Sequence, residues 1–402
     1  MKLKRSLNLP LLTLYGLGNI LGAGIYVLIG KVSAQADIFT PVAFLVASIL
    51  VATTAFTFSE LSSRYPKSAG PALYLYKAFG IKQLSIVIGL LIISTGVLSA
   101  ATITTGFVGY FNVFFNLAEP LIVVPLLLIL SLLAIWGIKQ SASVAAFITV
   151  IEIIGLLIII WAGREAIPDF EFRSYFNNLI DAPNTLWLGI FSGAFLAFYA
   201  FIGFEDMVHV AEEVIEPEKN MPKAILLTLI ISTLIYILIA LVAVSSLPIY
   251  DLANSTAPLA LIFKETTGLS PDVVAIIGML AIINGALIQI IMASRVVFGM
   301  SSQGWIPPFF GKINAITQTP IQATILVTIV ILVLALYLPI VTLAELTSLF
   351  ILVIFSLMHL SLIRVKTTHQ NTEANIKQYP IIIPIIGLVT NAGFVIFYLI
   401  KS

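Results

Sequence analysis

The chain has 402 residues, of which 60% are hydrophobic and only 10% are charged, and its formal net charge is +1. An ordinary soluble domain has about 25% charged residues, so the composition indicates a protein embedded in a lipid bilayer and argues against nucleic acid as a partner. The absence of cysteine excludes disulfides and thiol chemistry. Because the histidines His209, His359 and His369 lack the spacing of metal ligands, neither a metal nor another cofactor is expected.

The apolar runs predict the membrane-spanning helices. A bilayer core of about 30 Å requires about 20 apolar residues per helix, and on that measure the sequence contains eleven candidate spans. Their approximate limits are 10–30, 38–59, 84–110, 120–138, 141–163, 185–209, 222–247, 272–300, 320–338, 342–363 and 380–400. We therefore predict an all-α polytopic membrane protein with a single integral membrane domain over residues 1–402.

Basic residues in the short loops predict the orientation of the chain. With the N-terminus inside, the inner segments carry 15 of the 20 Lys and Arg residues and the outer segments carry 5. The start MKLKRSLNLP has no small-residue cleavage site, so it is expected to be the mature N-terminus and not a signal peptide. We expect this end to lie on the cytoplasmic side of the cell membrane. Eleven spans would place the C-terminus outside, and one span more or fewer would reverse that side.

The stretch GNILGAGIYVLIG, residues 18–30, lies inside the first span and places Gly18, Gly22 and Gly24 near the middle of that span. Each glycine there weakens a helix by about 1 kcal/mol relative to alanine. Close helix packing through small residues is one interpretation. The other is an unwound segment, which is tolerated at membrane depth only inside protein or beside a watery cavity. Unwinding here would free N–H groups at the start of a half-helix near Ile25, whose positive end would hold a carboxylate.

The sixth span, FSGAFLAFYAFIGFEDMVHVAEEV, is interrupted by Gly203 and then by the acids Glu205 and Asp206. Spans one and six occupy matching positions if the chain consists of inverted repeats at about 10–163 and 185–364, with 380–400 as an extra helix. Interrupted spans at such positions indicate the binding site of a transporter. Unwinding from Tyr199 to Ile202 would free carbonyls for an ammonium, so the two breaks together suit a zwitterion.

Five segments resemble one family, the amino acid, polyamine and organocation (APC) superfamily of permeases. They are GNILGAGIYVLIG, TFSELSSRYPKSAGPALYLYKAFG, YDLANSTAPLA, SRVVFGMSSQGWIPPFFGKIN and, as the most specific, GFEDMVHVAEEVIEPEKNMPKAI. They occur in the family's order between about residues 10 and 364. The resemblance implies an amino acid transporter with the five-plus-five inverted-repeat (LeuT-like) fold and discontinuous helices 1 and 6.

The resemblance also implies which residues bind the substrate. The segment of Gly22, Ala23 and Gly24 would bind the α-carboxylate, and the carbonyls of Tyr199, Ala200 and Ile202 would bind the α-amine. Ile20 is a further substrate-binding residue. Tyr199 and Phe204 stand where aromatic side chains cover the substrate in the family, and Tyr26 lies just beyond the first break as a gating candidate.

Glu152 lies at the middle of the fifth span, with Thr149 and Gly155 on its face. A charged Asp costs about 2.5 to 3.5 kcal/mol at a helix centre and we assume the same for Glu, so this carboxyl is expected to be protonated or to face the bundle interior. It either donates one structural hydrogen bond permanently or carries the coupling proton. Many relatives have Lys here, so the family's coupling mechanism does not transfer, and cation binding is a further alternative.

Glu205 ends the second break, where it either gates or senses protonation, or caps the downstream half-helix. Other acids, namely Glu60, Glu212, Glu213 and Glu216, are expected in inner loops as solvated or gate-stabilising charges. Polar residues of the third, eighth and tenth spans include Thr95, Ser99, Thr102, Asn284, Gln289, Thr347 and Ser348. None of them is acidic, which favours a neutral amino acid as substrate.

We therefore predict a secondary active transporter that moves amino acids by alternating access, with proton coupling or exchange. A polyamine or other amine exchanger of the same fold is the alternative. A channel would need a filter motif, and an intramembrane enzyme would need facing catalytic groups where only Glu152 qualifies. The sequence lacks a Gly-x-x-x-x-Gly-Lys loop, so ATP is not expected as the energy source, and it leaves the oligomeric state open.

Overall fold

A computed structural model of the chain describes residues 5, 7–66, 70–136, 142–167, 171–180, 183–368 and 377–401. The α-helices of this part, in chain order, are α1 (Leu9–Leu21), α2 (Ala23–Ala36), α3 (Thr40–Arg64), α4 (Gly70–Phe79), α5 (Lys82–Phe111), α6 (Glu119–Trp136), α7 (Ala142–Ala162), α8 (Phe172–Ile180), α9 (Asn184–Phe198), α10 (Pro217–Ser246), α11 (Ile249–Asn254), α12 (Pro258–Thr267), α13 (Asp272–Ser302), α14 (Ile321–Tyr337), α15 (Ile340–Thr368) and α16 (Ile382–Lys401). The 3₁₀ helices are Asp37–Phe39, Gly163–Ala166, Tyr199–Phe201, Phe204–Glu213 and Pro308–Gly311.

The predicted all-α polytopic membrane fold is confirmed. Nine helical segments of the described part are long and apolar enough to cross a membrane. One of them, Gly24–Arg64, contains both the second half of the first predicted span and the whole of the second. The first half of the first predicted span is the shorter helix α1, with 13 residues, and the ninth predicted span contains the shorter helix α14, with 17. Within the described residues, each of the eleven predicted spans contains a helix, whereas the division into inverted repeats stays a prediction.

The membrane helices expose aliphatic side chains on their outer faces. Leu132 of α6 and Leu234 of α10 are more than half exposed, as is Ile329 of α14. Apolar residues in such numbers on a surface are typical of a face that contacts lipid. The helices α4, α8, α11 and α12 lie in connections that the sequence analysis treated as loops.

The expectation that Glu60 is a solvated loop residue is wrong. Glu60 lies within α3, is fully buried, and has its Oε1 atom 2.7 Å from Nη2 of Arg64 and 2.8 Å from Nζ of Lys366. Its Oε2 atom accepts a hydrogen bond of 2.9 Å from the backbone N–H of Tyr379. This cluster joins the ends of α3 and α15 to the segment before α16.

A buried polar contact holds α16 at membrane depth. The ring nitrogens of His359 in α15 lie 3.1 Å from Oγ1 of Thr54 and 2.8 Å from Oγ1 of Thr57 in α3. Asn391 of α16 donates to the same Thr54 hydroxyl. Gly387 lets α16 approach the ring, because a Cβ atom there would overlap His359. Both ring nitrogens are engaged, so His359 has a packing role.

The segment before α1 pairs with the segment that follows the sixth span. Leu7 forms a parallel β-bridge with Val214. Its N–H donates to the carbonyl of Glu213 at 3.0 Å, and its carbonyl accepts from the N–H of Ile215 at 2.9 Å.

Several residues that the orientation argument uses lie outside the described part of the chain, namely Lys2, Lys4, Lys67 and Lys139, as does His369.

Candidate functional site

The first break lies at Gly22, between α1 and α2. Gly22 has φ −59° and ψ −136°, which is not helical, and the helix resumes at Ala23. No side chain among the described residues caps the N-terminus of α2. The first N–H groups of a helix have no partner within it, so the positive end of α2 is available to an anion.

The second break follows α9. A 3₁₀ turn covers Tyr199–Phe201, Ile202 is extended, and Gly203 has φ +124°, a conformation that favours glycine. The 3₁₀ helix Phe204–Glu213 then begins, and Oε2 of Glu205 accepts a hydrogen bond of 2.9 Å from the Gly203 N–H. The Glu205 carboxyl therefore binds the backbone of the break at Gly203, and its role as a gate, a proton sensor or a cap stays a prediction.

The two breaks pack directly on each other through glycines. A Cβ atom on Gly24 would lie 2.6 Å from the Cα of Ala200, and one on Gly203 would lie 2.5 Å from the carbonyl oxygen of Asn19. Neither distance is compatible with a side chain. Each broken helix therefore uses a glycine to contact the backbone of the other.

Tyr236 of α10 links the two breaks through hydrogen bonds. Its fully buried hydroxyl lies 2.6 Å from the carbonyl oxygen of Ile20 and 2.8 Å from that of Ala200. The hydroxyl has one hydrogen, which these two carbonyls share. The sequence analysis missed Tyr236, although a tyrosine in the middle of an apolar span is a signal for a buried hydrogen bond.

A cavity of about 40 Å³ lies between the breaks. Six of the predicted substrate-binding residues line it, namely Ile20, Gly22, Gly24, Tyr199, Ala200 and Ile202. Predicted polar residues also contribute, since Ser99 of α5 and Gln289 of α13 are part of the wall. The sequence analysis missed Asn19, Ile103 and Ile288, which complete much of it.

Tyr199 is oriented by α5. Its hydroxyl lies 3.1 Å from Oγ of Ser99 and 3.2 Å from the Ser99 carbonyl oxygen. Tyr199 therefore lines the cavity, and its hydroxyl is held by its contacts with Ser99. Ala23, the remaining predicted carboxylate ligand, begins α2 and contributes its backbone position.

Phe204 does not line this cavity, in contrast to the expectation that it covers the substrate. It is fully buried, with its ring centroid 5.7 Å from that of Phe58 and 5.4 Å from that of Phe355. The positive φ of Gly203 and the following 3₁₀ turn direct Phe204 into this aromatic cluster.

Tyr26 is also directed away from the cavity wall. Its hydroxyl donates to the carbonyl of Glu152 at 3.4 Å, and its own carbonyl accepts from the hydroxyl of Tyr110 at 2.7 Å. These bonds connect α2 to α7 and α5, so Tyr26 anchors the half-helix after the first break.

Asp206 is among the residues that line the cavity. The prediction of a neutral substrate considered only the polar residues of the third, eighth and tenth spans and missed this acid of the sixth. A smaller cavity of about 30 Å³ shares Asp206 with the first and adds Glu205 and His209 to its walls. Ser99, Ile202 and Gln289 are common to both cavities, so the two adjoin.

Glu152 lies behind the first break and not in the cavity between the breaks. It is 1% exposed, and neither carboxyl oxygen has a hydrogen-bond partner among the described residues. Within the described part of the chain, no group of three or more His, Asp or Glu residues is arranged to hold a metal ion.

Comparison with known proteins finds relatives of this chain among permeases and transporters. The branched-chain amino acid permease BcaP of Bacillus subtilis is 27% identical over 352 residues, which cover 80% of this chain and 72% of that protein. The vacuolar cationic amino acid transporter 4 of Arabidopsis thaliana is 26% identical, over 88% of this chain and 62% of that protein. The methylthioribose transporter of Bacillus subtilis is 26% identical, over 96% of this chain and 86% of that protein.

Several plant relatives are longer than this chain, which spans 60 to 63% of three cationic amino acid transporters of Arabidopsis thaliana. All these names are those of permeases and transporters, which supports the prediction that the chain is not an enzyme. The family model for amino acid permeases matches residues 7–401. The chain therefore belongs to the amino acid permease family.

Proposed function

We propose that the chain is a secondary active transporter that moves an amino acid across the cell membrane by alternating access, with its N-terminus in the cytoplasm. The observation that carries the proposal is the cavity between the two broken helices. The uncapped N-terminus of α2 offers donors to a carboxylate, and the carbonyls at the second break offer acceptors to an ammonium.

The small size of the cavity supports a substrate site that opens and closes during transport. A volume of about 40 Å³ holds about three water molecules, which is less than a bound amino acid requires. Substrate entry then needs the walls to separate, and the non-helical residues Gly22 and Gly203 supply points at which the half-helices can pivot. Separation toward one side at a time is the motion that alternating access requires.

We propose a neutral amino acid as the substrate. The cavity offers aliphatic walls from Ile103 and Ile288 together with the Ser99 hydroxyl and the Gln289 amide. The name of the branched-chain relative supports the same class. Asp206 favours a second candidate, a cationic amino acid or another amine, because this acidic residue lines the same cavity, and the plant relatives are named for cationic amino acids.

The test is uptake by the purified full chain in proteoliposomes. Labelled leucine and labelled arginine are offered separately, with unlabelled amino acids or spermidine inside the vesicles. A carrier saturates and is accelerated by substrate on the opposite side, whereas a channel is not. Saturable uptake of leucine with this acceleration supports the proposal, and its absence for every amino acid would contradict transport by this site. Protein-free vesicles are the control.

For the driving force we propose protons, carried by Glu152 with Glu205 as the next candidate. The burial of Glu152 without a hydrogen-bond partner among the described residues supports this choice, because a carboxyl in such a position favours its neutral form.

A further inference from the structure

Two lysines lie over aromatic rings where α5 begins and α13 ends. Lys82, the first residue of α5, has its Nζ atom 6.0 Å from the centroid of the Trp305 ring. Lys312, which follows the 3₁₀ helix Pro308–Gly311, has its Nζ atom 5.9 Å from the centroid of the Phe309 ring. Both lysines are exposed, and both distances allow a cation–π contact. We call the surface formed by these two lysines and two rings the basic aromatic patch.

The segment that carries both aromatic rings is packed on the end of α13. The N–H of Trp305 donates to the carbonyl of Met300 at 2.9 Å, and the hydroxyl of Ser301 donates to the carbonyl of Pro307 at 2.7 Å. A Cβ atom on Gly311 would lie 2.9 Å from Oγ of Ser301. Two hydrogen bonds and a close backbone approach therefore fix the position of this segment.

The lysines of the basic aromatic patch lack carboxylate partners. Neither Lys82 nor Lys312 forms an ion pair with a residue in the described part of the chain. The sequence has no Asp or Glu over 61–118 or 273–344, the two stretches that contain the patch. Lys77, which is exposed on α4, adds a positive charge in the first of these stretches. The patch thus has a positive charge that its own segments leave uncompensated.

Exposed apolar side chains accompany this charge. Ile81, Phe309 and Ile313 are about half exposed, and Ile316 is 92% exposed. Ile81 immediately precedes α5, and the other three lie between α13 and α14, so each stands beside the end of a membrane helix. Basic and aromatic side chains at such ends are typical of the membrane–water interface. The patch therefore combines positive charge with apolar surface where lipid head groups begin.

We propose that the basic aromatic patch binds anionic phospholipids, whose phosphates pair with Lys82 and Lys312 and whose upper acyl chains contact Ile313 and Ile316. Such a lipid supplies both the negative charge that the patch lacks and an apolar cover for its exposed side chains. A second copy of the chain is disfavoured as the partner, because an equivalent patch would bring like charges together.

The experiment measures thermal unfolding of the purified full chain in detergent with increasing dioleoyl phosphatidylglycerol. Zwitterionic dioleoyl phosphatidylcholine, which has the same acyl chains, is added in a parallel series. A ligand that binds only the folded state raises the unfolding midpoint in a saturable manner, and we expect a rise about 2 °C larger with the anionic lipid. About 0.5 M NaCl should reduce this difference, because salt screens exposed charges. The measurement does not depend on what the protein transports.

A double variant locates the effect. Lys82→Gln with Lys312→Gln removes both charges and should lose the extra rise with phosphatidylglycerol, while the response to phosphatidylcholine stays unchanged. The matched control is Lys264→Gln, which changes an exposed lysine on α12. Since α12 precedes the start of α13 and the patch follows its end, this control lies at the opposite end of that helix and should keep the extra rise.

Equal rises with the two lipids in the wild type would overturn the proposal by themselves. An extra rise that persists in the double variant would overturn it as well. If size-exclusion chromatography instead shows a dimer that is independent of lipid charge and is lost in Ile316→Ser, the patch binds a second copy and the lipid proposal is wrong.

Discussion

Gly24 of the first break packs on Ala200 of the second, with no room for a side chain between them. We therefore predict that Gly24→Leu abolishes substrate binding, because the Cβ atom alone would come within 2.6 Å of the Ala200 Cα and force the broken helices apart. Binding and uptake are measured on protein that elutes as a single species.

The matched control is Gly299→Ala on α13, where a Cβ atom would meet no other atom within 4 Å. It should transport normally and gain up to about 1 kcal/mol of helix stability. Normal uptake by well-folded Gly24→Leu would contradict the role assigned to the contact.

Tyr236→Phe removes the hydroxyl that serves the carbonyls of Ile20 and Ala200. We expect a loss of about 1 to 3 kcal/mol in stability, because buried acceptors lose their donor, and a fall in transport rate of about tenfold. Thermal unfolding and uptake are measured together. Tyr337→Phe, at the exposed end of α14, is the control and should change neither. A Tyr236→Phe protein with unchanged melting and uptake would show that the bridge is dispensable.

Competition between amino acids for uptake tests whether the substrate is neutral or cationic. We expect alanine, leucine and serine to inhibit uptake of labelled leucine more strongly than arginine or lysine does. Asp206→Asn tests the second candidate, since it should weaken any inhibition by arginine selectively if the carboxyl binds the cationic side chain. Strong inhibition by arginine that Asp206→Asn abolishes would replace the neutral substrate with a cationic one.

Glu152→Gln keeps the shape of the protonated acid. We expect this variant to bind and exchange substrate but to lose the acceleration that an inward proton gradient gives the wild type. Uptake is measured with and without the gradient, and Glu265→Gln serves as the exposed control. If Glu152→Gln retains gradient-driven uptake and the wild-type pH profile, Glu152 is structural and Glu205 becomes the candidate.

Glu60→Gln should destabilise the protein by about 3 to 5 kcal/mol, because Arg64 and Lys366 would remain without their buried counter-charge. Glu216→Gln removes an ion pair with Lys219 in which both side chains are 61% exposed, and exposed pairs contribute less than about 1 kcal/mol. A comparison of unfolding midpoints distinguishes the two cases, and equal midpoints would refute the role of the buried cluster.

The sequence predicts the helices well because lipid requires long apolar runs, and it predicts both breaks because glycine and acids interrupt such runs. It fails beyond the second break. The φ of +124° at Gly203 and the 3₁₀ helix that follows set new side-chain directions. Three residues per turn replace 3.6 there, so Phe204 turns into the aromatic cluster and Asp206 into the cavity. Residues that contact the breaks from distant segments, such as Tyr236, leave no pattern in the sequence around the breaks.

The β-bridge at Leu7 has a mechanical consequence. Backbone hydrogen bonds join the segment before α1 to the end of the 3₁₀ helix Phe204–Glu213, far from the glycine contacts at the breaks. The helix α1 and the 3₁₀ helix Phe204–Glu213 are thus joined by backbone contacts at both of their ends. Neither helix can move without the other, so we expect α1 and the 3₁₀ helix Phe204–Glu213 to move together as one rigid unit.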